Sequence, residues 1–460
     1  MKRRDFIALT SGIPLVAAVS ADAQVAPEPK PKKGTPQIPP LDPIPGPPCL
    51  MAGPMLGHVS DSSAALWIQS TKPTDWAVDV SENPEFTGAT SHPGTATVEA
   101  SGLNAQIVLG NLKPATRYHY RIRFGDQVVS PIPAPSFTTA PVAGTAGKLR
   151  FGFSSCVGRL PEHAAAAWGE INARRNFDLF LMLGDNHYAD STDPAKQRLY
   201  YTAHRRNPSF RDFTSHLPVY GIWDDHDYGP NNSDSTAEGK ERSPVTFREF
   251  WPNPPRTEES QDPAIYHHFQ RGDVAFFMLD VRYHRTPNEA PDGEAKTMLG
   301  AAQLGWLKRN LKASTAKVKV IASGSEWQTN GSGDSWAKFL HERDPLLDFI
   351  EAEKIGGVMF ISGDRHFAGG YQVRDRWIEL TSGPLGSTSE KTTKGATYGE
   401  TFTVFVGNKM WTIVDVDTSG AEPRISMEIW GAGKGLLERR DFSWPEFCGV
   451  EKMKPSQSIS

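Results

Sequence analysis

The chain has 460 residues, of which 38% are hydrophobic and 22% are charged, and its formal net charge is −4. This length and composition are ordinary for a soluble globular chain with more than one domain. The negative net charge and the lack of any long run of Lys or Arg argue against a nucleic-acid-binding patch held by counterion release.

The N-terminal segment, residues 1–23, carries the three parts of a twin-arginine signal peptide. The pair Arg3 and Arg4 precedes a short apolar stretch, residues 13–19, and small residues of an A-x-A cleavage pattern end at Ala23. The apolar stretch is too short to span a bilayer, which needs about 20 residues. We therefore expect export by the twin-arginine machinery to the periplasm or the exterior, with no transmembrane segment in the mature chain.

A change in composition predicts a linker and then an all-β domain. Residues 24–48 are so rich in Pro that we expect an extended linker. Residues 49–141 contain short strand-like runs such as 64–69 and 76–80, bounded by Gly, Pro, Ser and Asp. Residues 112–122 resemble the tyrosine-corner strand of fibronectin type III domains, so we predict a fibronectin-like β-sandwich with a structural role.

The chain has three cysteines, Cys49, Cys156 and Cys448. In an oxidising compartment an odd number leaves at least one thiol without a disulfide partner. A disulfide between Cys49 and Cys448 stays open, whereas Cys156 follows a predicted strand and is a candidate metal ligand.

From residue 148 to 445 the pattern changes to α/β. Short apolar strands are predicted at residues 149–153, 179–183, 219–223, 274–279, 318–322 and 357–361. Helical stretches fall between them, for example at residues 301–313 and 345–353. Fully apolar strands that alternate with helices indicate a buried, layered sheet.

Polar residues follow the ends of these strands, where open α/β sheets bind ligands. Four such clusters are Ser154-Ser155-Cys156, the run from Gly184 to Asp190, the run from Asp224 to Asn232, and Ser362-Gly363-Asp364-Arg365-His366. Each cluster alone is a weak signal. Together they place Cys, Asp, His and Tyr at four strand ends of one domain, which strongly indicates a metal site.

These clusters resemble the PhoD-like phosphatase family of the calcineurin-like metallophosphoesterase superfamily. The matching residues are Gly184-Asp185 with Tyr188, Asp224-Asp225-His226-Asp227, and Gly363-Asp364 with His366, after the strand-end Cys156. The resemblance covers about residues 50–440. It implies a four-layer α/β/β/α sandwich, a site for two or more metal ions, and hydrolysis of phosphoric esters.

The resemblance also implies roles for individual residues. The first metal would be bound by Cys156, Asp185, Tyr188 and His366, and Asp185 would bridge to the second metal. The second metal would be bound by Asp364 and by Asp225, with Asn231 as an additional or alternative ligand. The predicted catalytic residues are His226, which would contact phosphate or protonate the leaving group, and Arg365. The predicted substrate-binding residues are Arg282, Arg285 and His187.

The ligand types suggest which metals are bound. A thiolate is a soft ligand and phenolate is an unusual one, because the pKa of Tyr is normally near about 10. Cys156 and Tyr188 on one ion therefore favour Fe(III), whereas carboxylate and amide oxygens favour Ca²⁺ in the second site, with Mg, Mn or Zn as alternatives. Two such ions would bind the phosphoryl oxygens and activate a hydroxide.

The resulting hypothesis is a secreted alkaline phosphatase of the D type. A phosphodiesterase or phospholipase-type activity in the same site is an alternative, because the motifs do not separate monoesters from diesters. A non-catalytic exported binding protein built on the fibronectin-like domain is a third hypothesis, against which the complete set of ligand-type residues counts.

Overall fold

The structure is a computed structural model that describes residues 37–255, 261–328, 333–389 and 400–451. The predicted signal peptide and residues 24–36 of the predicted linker lie outside the described residues. The chain divides into two units, Met1–Thr35 and Pro36–Ser460, and every described residue belongs to the second. None of the helices in the described part of the chain has the length and apolar character that a membrane crossing needs.

Short strands near the N-terminus form a β-sandwich. They are β1 (Leu50–Val59), β2 (Ala64–Ser70), β3 (Ala77–Ser81), β4 (Thr90–Pro93), β5 (Asn104–Leu109), β6 (Arg117–Phe124), β7 (Gln127–Val128) and β8 (Ser136–Thr138). One sheet has the order β1-β2-β5 and the other β4-β3-β6-β7, with β8 also paired to β6. Leu66, Val78 and Ile122 show how apolar side chains from both sheets meet in one core. The Tyr118 hydroxyl accepts a hydrogen bond from the Lys113 amide over 2.9 Å, the tyrosine-corner contact that the resemblance implies.

The α/β part follows. Its strands are β9 (Lys148–Ser154), β10 (Leu179–Leu183), β11 (Val219–Ile222), β12 (His267–Arg271), β13 (Val274–Met278), β14 (Val318–Ser323), β15 (Val358–Ser362), β16 (Ala368–Val373), β17 (Trp377–Thr381), β18 (Glu400–Phe405), β19 (Met410–Asp417), β20 (Arg424–Gly431) and β21 (Gly435–Phe442). Its α-helices are α1 (Ala165–Arg174), α2 (Pro194–Arg205), α3 (Pro208–His216), α4 (Asp225–Tyr228), α5 (Ser243–Phe250), α6 (Gly300–Ala313), α7 (Leu340–Ala352) and α8 (Trp444–Phe447). The six strands predicted in this part are confirmed as β9, β10, β11, β13, β14 and β15.

Helix α7 begins before the predicted start at Pro345, which instead lies inside the helix. The first turn is held by a tertiary contact that the local pattern does not show. The Glu342 carboxylate accepts hydrogen bonds from the backbone amides of Met298 and Leu299, over 3.1 and 2.9 Å.

The α/β part has four layers, which confirms the predicted fold class. One sheet has the order β11-β10-β9-β19-β20-β21 and the other β12-β13-β14-β15-β17-β16-β18. Strand β13 shows why the central strands are apolar throughout. Phe276 packs into the core that contains Phe151 of the other sheet, and Phe277 packs into the core that contains Leu307 of α6. A strand buried on both faces has no polar positions left.

The β-sandwich packs directly on the α/β part. Met55 and Trp67 belong to the same apolar core as Phe250. The Arg205 guanidinium of α2 lies 5.1 Å from the Trp67 ring, and the Tyr120 hydroxyl donates to the Ser215 carbonyl over 2.7 Å. The predicted boundaries at 49–141 and 148–445 stay predictions.

The thiols of Cys49, Cys156 and Cys448 are all free in the structure. The disulfide that the sequence left open is therefore not formed in it. Cys156 is buried, and the other two residues are partly exposed.

Candidate metal centre

Three ligand-type residues leave the ends of their strands in the same unusual backbone conformation. The φ angles of Cys156, Asp185 and Asp364 are 59°, 53° and 61°, in the left-handed region that non-glycine residues rarely adopt. Each residue is the second after a strand, β9, β10 or β15. Such conformations concentrate at functional sites because the surrounding structure must hold them in place.

The turns come so close together that glycine is needed before two of the ligands. A Cβ on Gly184 would lie 2.5 Å from the Asp224 Cβ, and one on Gly363 would lie 2.4 Å from the Leu183 carbonyl oxygen. Glycine is therefore needed in the two Gly-Asp pairs because a larger residue would clash with the neighbouring turn, in addition to its usual role in tight turns.

Within the described ranges of the chain, potential ligand atoms meet in three overlapping groups. They are Cys156, Asp185 and His366; Asp185, Asp225 and His226; and Asp224, Asp225 and Asp364. Within each group, one ligand atom per residue lies within 4.8 Å of the others. Asp185 belongs to the first two groups and Asp225 to the last two, so these carboxylates join adjacent positions. This arrangement is suited to a row of bridged metal ions.

Tyr188 lies against the first two groups. Its hydroxyl donates to Oδ2 of Asp185 over 2.9 Å and accepts from Oγ of Ser387 over 2.7 Å. Its ring lies 4.1 Å from the His226 ring, centroid to centroid. The Cys156 thiol is 3.1 Å from the Ser155 hydroxyl. The contact of Ser387 with Tyr188 was not predicted, because Ser387 lies in none of the four sequence clusters.

The Asp-Asp-His-Asp run divides its side chains among different tasks. Oδ1 of Asp224 accepts from Nε of Arg282 over 2.5 Å, and Oδ2 of Asp225 accepts from the Asn232 amide over 2.6 Å. The Asp227 carboxylate accepts from the amide of Asp224 over 2.7 Å and from the amide of Asn186 over 2.8 Å. Asp227 thereby ties the turn after β11 to the turn after β10.

Two members of this run were not predicted as functional residues. Asp224 is in a potential ligand group and Asp227 holds the two turns together, although both lie inside the recognised motif. The repeated acidic residues were the available signal. Asn231, predicted as an alternative ligand, is exposed in the turn after α4, and its role stays a prediction.

His226 is held by an acidic partner on the loop after β10. Its Nδ1 contacts Oδ1 of Asp190, while the other oxygen of Asp190 accepts from Arg159. Arg159 also donates to the Tyr188 carbonyl over 2.7 Å. Asp190 therefore fixes the orientation of the imidazole and connects it to the Tyr188 turn.

Burial destabilises the ionised form of these carboxylates unless cations neutralise their charge. Burial, and then neighbouring acids, raise the pKa values of Asp185 and Asp364 well above the usual range, and the pKa of Asp224 rises to about 6 for the same reasons, despite Arg282. Burial also raises the pKa values of the Cys156 thiol and the Tyr188 hydroxyl, and the Asp185 charge adds to both effects. A metal cation would reverse these shifts, because it favours the ionised ligand.

The same surroundings favour the charged form of the His226 imidazole. Burial alone would lower its pKa, but the charges of Asp225, Asp185 and Asp190 outweigh burial and raise the pKa to about 10. His226 is therefore protonated at neutral pH in this electrostatic environment.

Unpartnered oxygens offer a direct test of whether cations fit. Oδ1 of Asp185, Oδ1 of Asp225 and Oδ2 of Asp224 are buried and have no hydrogen-bond partner among the described residues. Buried polar atoms are almost always satisfied, so these three lone-pair donors point to a ligand. Their positions in the three overlapping groups fit oxygen-binding metal ions.

The predicted substrate-binding arginines lie deeper than expected. Arg282 and Arg285 are both fully buried, and each donates to an oxygen of Asp334 over 2.7 Å. Arg282 also pairs with Asp224 and thereby supports the acidic run. The pairing of Asp334 with these two arginines was not predicted from the sequence. The substrate-binding roles of the two arginines stay predictions.

Arg365 and His187 occupy different surroundings. Arg365 donates to Oε2 of the buried Glu326 over 3.0 Å, and its guanidinium lies 4.8 Å from the Phe367 ring. His187 is buried, with its ring 4.1 Å from that of Tyr201. Their predicted catalytic and substrate-binding roles are untested by this geometry.

Comparisons with known proteins agree with the architecture. A family model described as PhoD-like phosphatase matches residues 151–421, and a model described as a domain of unknown function matches residues 48–142. The chain is 25% identical over 313 residues to alkaline phosphatase D of Bacillus subtilis (strain 168). That match covers 57% of this chain and 53% of the Bacillus protein, so the chain spans about half the length of this curated relative.

Solved structures resemble the fold over most of the chain. A structure of PhoD superimposes with a TM-score of 0.67 and 17% identity, over 86% of this chain and 92% of that one. The purple acid phosphatase PPD1 from seeds of yellow lupin (Lupinus luteus) superimposes with a TM-score of 0.61 and 12% identity. This second match covers 89% of this chain and 78% of the lupin protein. At these identities the likeness concerns the fold.

Proposed function

The chain belongs to the PhoD-like phosphatase family, and on this premise we propose that it is a metal-dependent phosphoric-ester hydrolase of the alkaline phosphatase D type. One observation carries the proposal. Three groups of ligand-type residues overlap at the carboxyl ends of the parallel strands, and Asp185 and Asp225 are shared between neighbouring groups. Shared carboxylates are what a multinuclear hydrolytic site requires.

The ligand groups and the family resemblance together suggest which residues would hold the metals. Cys156, Asp185 and His366, with Tyr188 beside them, would hold the first ion. Asp185, Asp225 and Asp364 would hold the second, with Asn231 as an additional or alternative ligand. The combination of thiolate with phenolate favours Fe(III) for the first ion, and the oxygen ligands favour Ca²⁺ for the second, with Mg, Mn or Zn as alternatives. Bound together, the ions would neutralise the phosphoryl oxygens and lower the pKa of a water molecule.

His226 is the proposed proton donor to the leaving oxygen. Burial lowers the pKa of His226, but the Asp190 carboxylate against Nδ1 raises it and so favours the protonated imidazole that a proton donor requires. Asp190 accepts from Nδ1, which leaves Nε2 as the nitrogen that can deliver a proton. Arg159 donates to the other oxygen of Asp190 and to the Tyr188 carbonyl, and so connects the His226–Asp190 pair to the Tyr188 turn.

Arg365 is proposed to offset phosphate charge, as a guanidinium next to the ligands Asp364 and His366. Arg282 and Arg285 are proposed to add positive charge to the phosphate site from buried positions. Arg282 pairs with Asp224, and Arg285 pairs with Asp334. His187 is proposed to support the Tyr188 turn from its buried side.

The proposal includes the location of the enzyme. The twin-arginine motif at Arg3 and Arg4, followed by an apolar stretch and a cleavage pattern ending at Ala23, supports export to the periplasm or the exterior. The partners would be the twin-arginine export machinery and a phosphate-ester substrate.

The experiment is an assay of purified, metal-loaded protein on p-nitrophenyl phosphate and on bis(p-nitrophenyl) phosphate, with metal analysis of the same sample. We expect turnover together with stoichiometric metal, and the ratio of the two rates separates monoesterase from diesterase. Asp185→Asn is the matched control, because it keeps the side-chain shape and removes the bridging charge. A folded, metal-loaded protein that hydrolyses neither ester would support the non-catalytic binding hypothesis instead.

A further inference from the structure

A second polar cleft lies at the opposite end of the sheets from the ligand groups. It has a volume of about 400 Å³, within the range of roughly 300–1,000 Å³ that is typical of ligand sites. Asp178 and Pro218, which line it, directly precede β10 and β11. The cleft is therefore at the amino ends of strands whose carboxyl ends carry the metal ligands. For the five residues of β10 this separation is roughly 16 Å.

The cleft is formed by both parts of the protein. Arg117 of β6 and Thr138 of β8 contribute from the β-sandwich, and His216 and Arg271 contribute from the α/β part. Anything bound here would contact both parts at once.

Among the described residues, Arg271 is a buried cation with no carboxylate in ion-pair contact. Its residue is 7% exposed, and its Nη2 donates to the Thr138 carbonyl over 3.2 Å. Its Nη1 is buried and has no hydrogen-bond partner among the described residues, and no carboxylate in those ranges forms an ion pair with it. Buried polar atoms are almost always satisfied, so this vacant donor points to an acceptor that an anion at this position would supply.

Arg117 adds a second unneutralised guanidinium. Its Nε and Nη2 donate to Oγ of Ser136 over 3.3 and 3.1 Å, and it forms no ion pair within the described part of the chain. Arg175, which also lines the cleft, is neutralised by Asp212. The charge of Asp178 is stabilised by the Arg150 amide over 2.8 Å.

The balance of charge favours an anionic ligand. Among the described residues that line the cleft, Asp178 is the single acidic one, against Arg117 and Arg271. His216 is turned toward its own helix, where Nδ1 lies 2.9 Å from both the Ser215 hydroxyl and the Asp212 carbonyl.

We propose that this cleft binds a small tetrahedral oxyanion, with inorganic phosphate as the ligand to test, between Arg117 and Arg271. The planar guanidinium fork matches two oxygens of such an anion and forms charge-assisted hydrogen bonds with them. The site is distinct from the metal centre, and its occupant joins the β-sandwich to the α/β part.

The test is equilibrium dialysis of the full-length, metal-loaded protein against radiolabelled inorganic phosphate. The wild-type protein binds two phosphates per chain, one at the metal centre and one in the cleft. In Arg271→Gln the second phosphate binds at least about tenfold more weakly, whereas turnover of p-nitrophenyl phosphate is unchanged. Arg117→Gln gives the same loss from an exposed position, where the substitution leaves the core intact.

Arg121→Gln is the matched control, because Arg121 lies on the same strand but pairs with Asp79 outside the cleft over 2.8 Å. It retains both phosphates. If Arg117→Gln and Arg271→Gln bind as much phosphate as the wild-type protein and with the same affinity, whether that is one phosphate or two, the proposal is overturned.

Discussion

The Tyr188 hydroxyl donates a hydrogen bond to Oδ2 of Asp185 over 2.9 Å, and the two residues lie in the same turn after β10. Burial and the Asp185 charge together raise the pKa of Tyr188. The hydrogen bond thus holds a proton between two groups that would both ligate the first metal. Metal binding at this position requires that proton to leave.

Tyr188→Phe tests this relationship through colour. If Cys156 and Tyr188 both ligate Fe(III), the purified protein absorbs visible light by charge transfer from thiolate and phenolate. The substitution removes the phenolate but keeps the ring that packs 4.1 Å from His226, so we expect the band to shift and weaken. Cys156→Ser should also change the band, because a hydroxyl is a harder and poorer donor.

Absorption spectra and elemental analysis of the same samples measure the outcome. Tyr200→Phe is the control, since Tyr200 is buried nearby and its hydroxyl bonds to Gln37 rather than to a ligand. A colourless, fully active protein without iron would show that Mg, Mn or Zn fills the first site.

Asp185→Ala should abolish activity more completely than His226→Ala. Asp185 is shared by two ligand groups, so its loss dismantles both metal positions. Loss of a general acid should reduce kcat/KM by about 10²–10⁴-fold while the metals remain. Kinetics combined with metal content distinguish the two variants. Near-native turnover with full metal in Asp185→Ala would rule out the bridging role.

Asp190→Asn should move the alkaline limb of the pH–rate profile. Burial lowers the pKa of His226 and the Asp190 carboxylate raises it. Because His226 must be protonated to donate, activity should fall as pH rises through this pKa. Removing the Asp190 charge lowers this pKa, and the limb should shift by about one unit toward neutral pH. Asp193→Asn is the control, because Asp193 caps α2 in the same loop. If the alkaline limb does not move in Asp190→Asn, the limb does not report the titration of His226.

Asp227→Ala should reduce both stability and metal affinity. The carboxylate accepts from the amides of Asn186 and Asp224, and its loss leaves buried donors unsatisfied at about 1–3 kcal/mol each. Urea unfolding and metal titration measure the two effects. Asp61→Ala, at a partly exposed bend between β1 and β2, should change neither. Equal stability of Asp227→Ala and wild type would contradict the cross-linking role.

Acid should destabilise the fold through histidines that are held neutral in buried or partly buried surroundings. Burial lowers the pKa of His267 to about 3 and those of His58 and His204 to about 4, against a value near 6.5 in the unfolded chain. The unfolded state therefore binds protons first as pH falls below 6.5, and stability is lost progressively from there toward pH 4.

His267→Gln should flatten this dependence. Over the two pH units from 6.5 to 4.5, each of these histidines costs the folded state about 3 kcal/mol. Urea midpoints between pH 7.5 and 4.5 measure the slope, and His341→Gln, at an exposed position, serves as control. An unchanged slope in His267→Gln would assign the acid sensitivity to other groups.

The sequence predicted the strands that carry the site and the edge at which they end. Apolar runs such as Leu179–Leu183 are buried on both faces, and this burial removes every polar position from the run itself. The polar cluster that follows is then displayed at the carboxyl edge, where parallel strands bring distant clusters together. Cys156, Asp185 and His366 meet for that reason, although they are far apart in sequence.

Tertiary structure alone decided how the acidic run divides its tasks. Asp224, Asp225 and Asp227 are chemically alike and lie within four consecutive positions. A short helical turn points their side chains in different directions. Arg282 contacts Asp224 from 58 residues away, and Asp334 reaches Arg282 over a separation of 52 residues. The cleft beside Arg271 likewise exists only where the β-sandwich meets the α/β part. These outcomes depend on long-range packing and on which neighbour neutralises each buried charge, and neither is written in a local pattern.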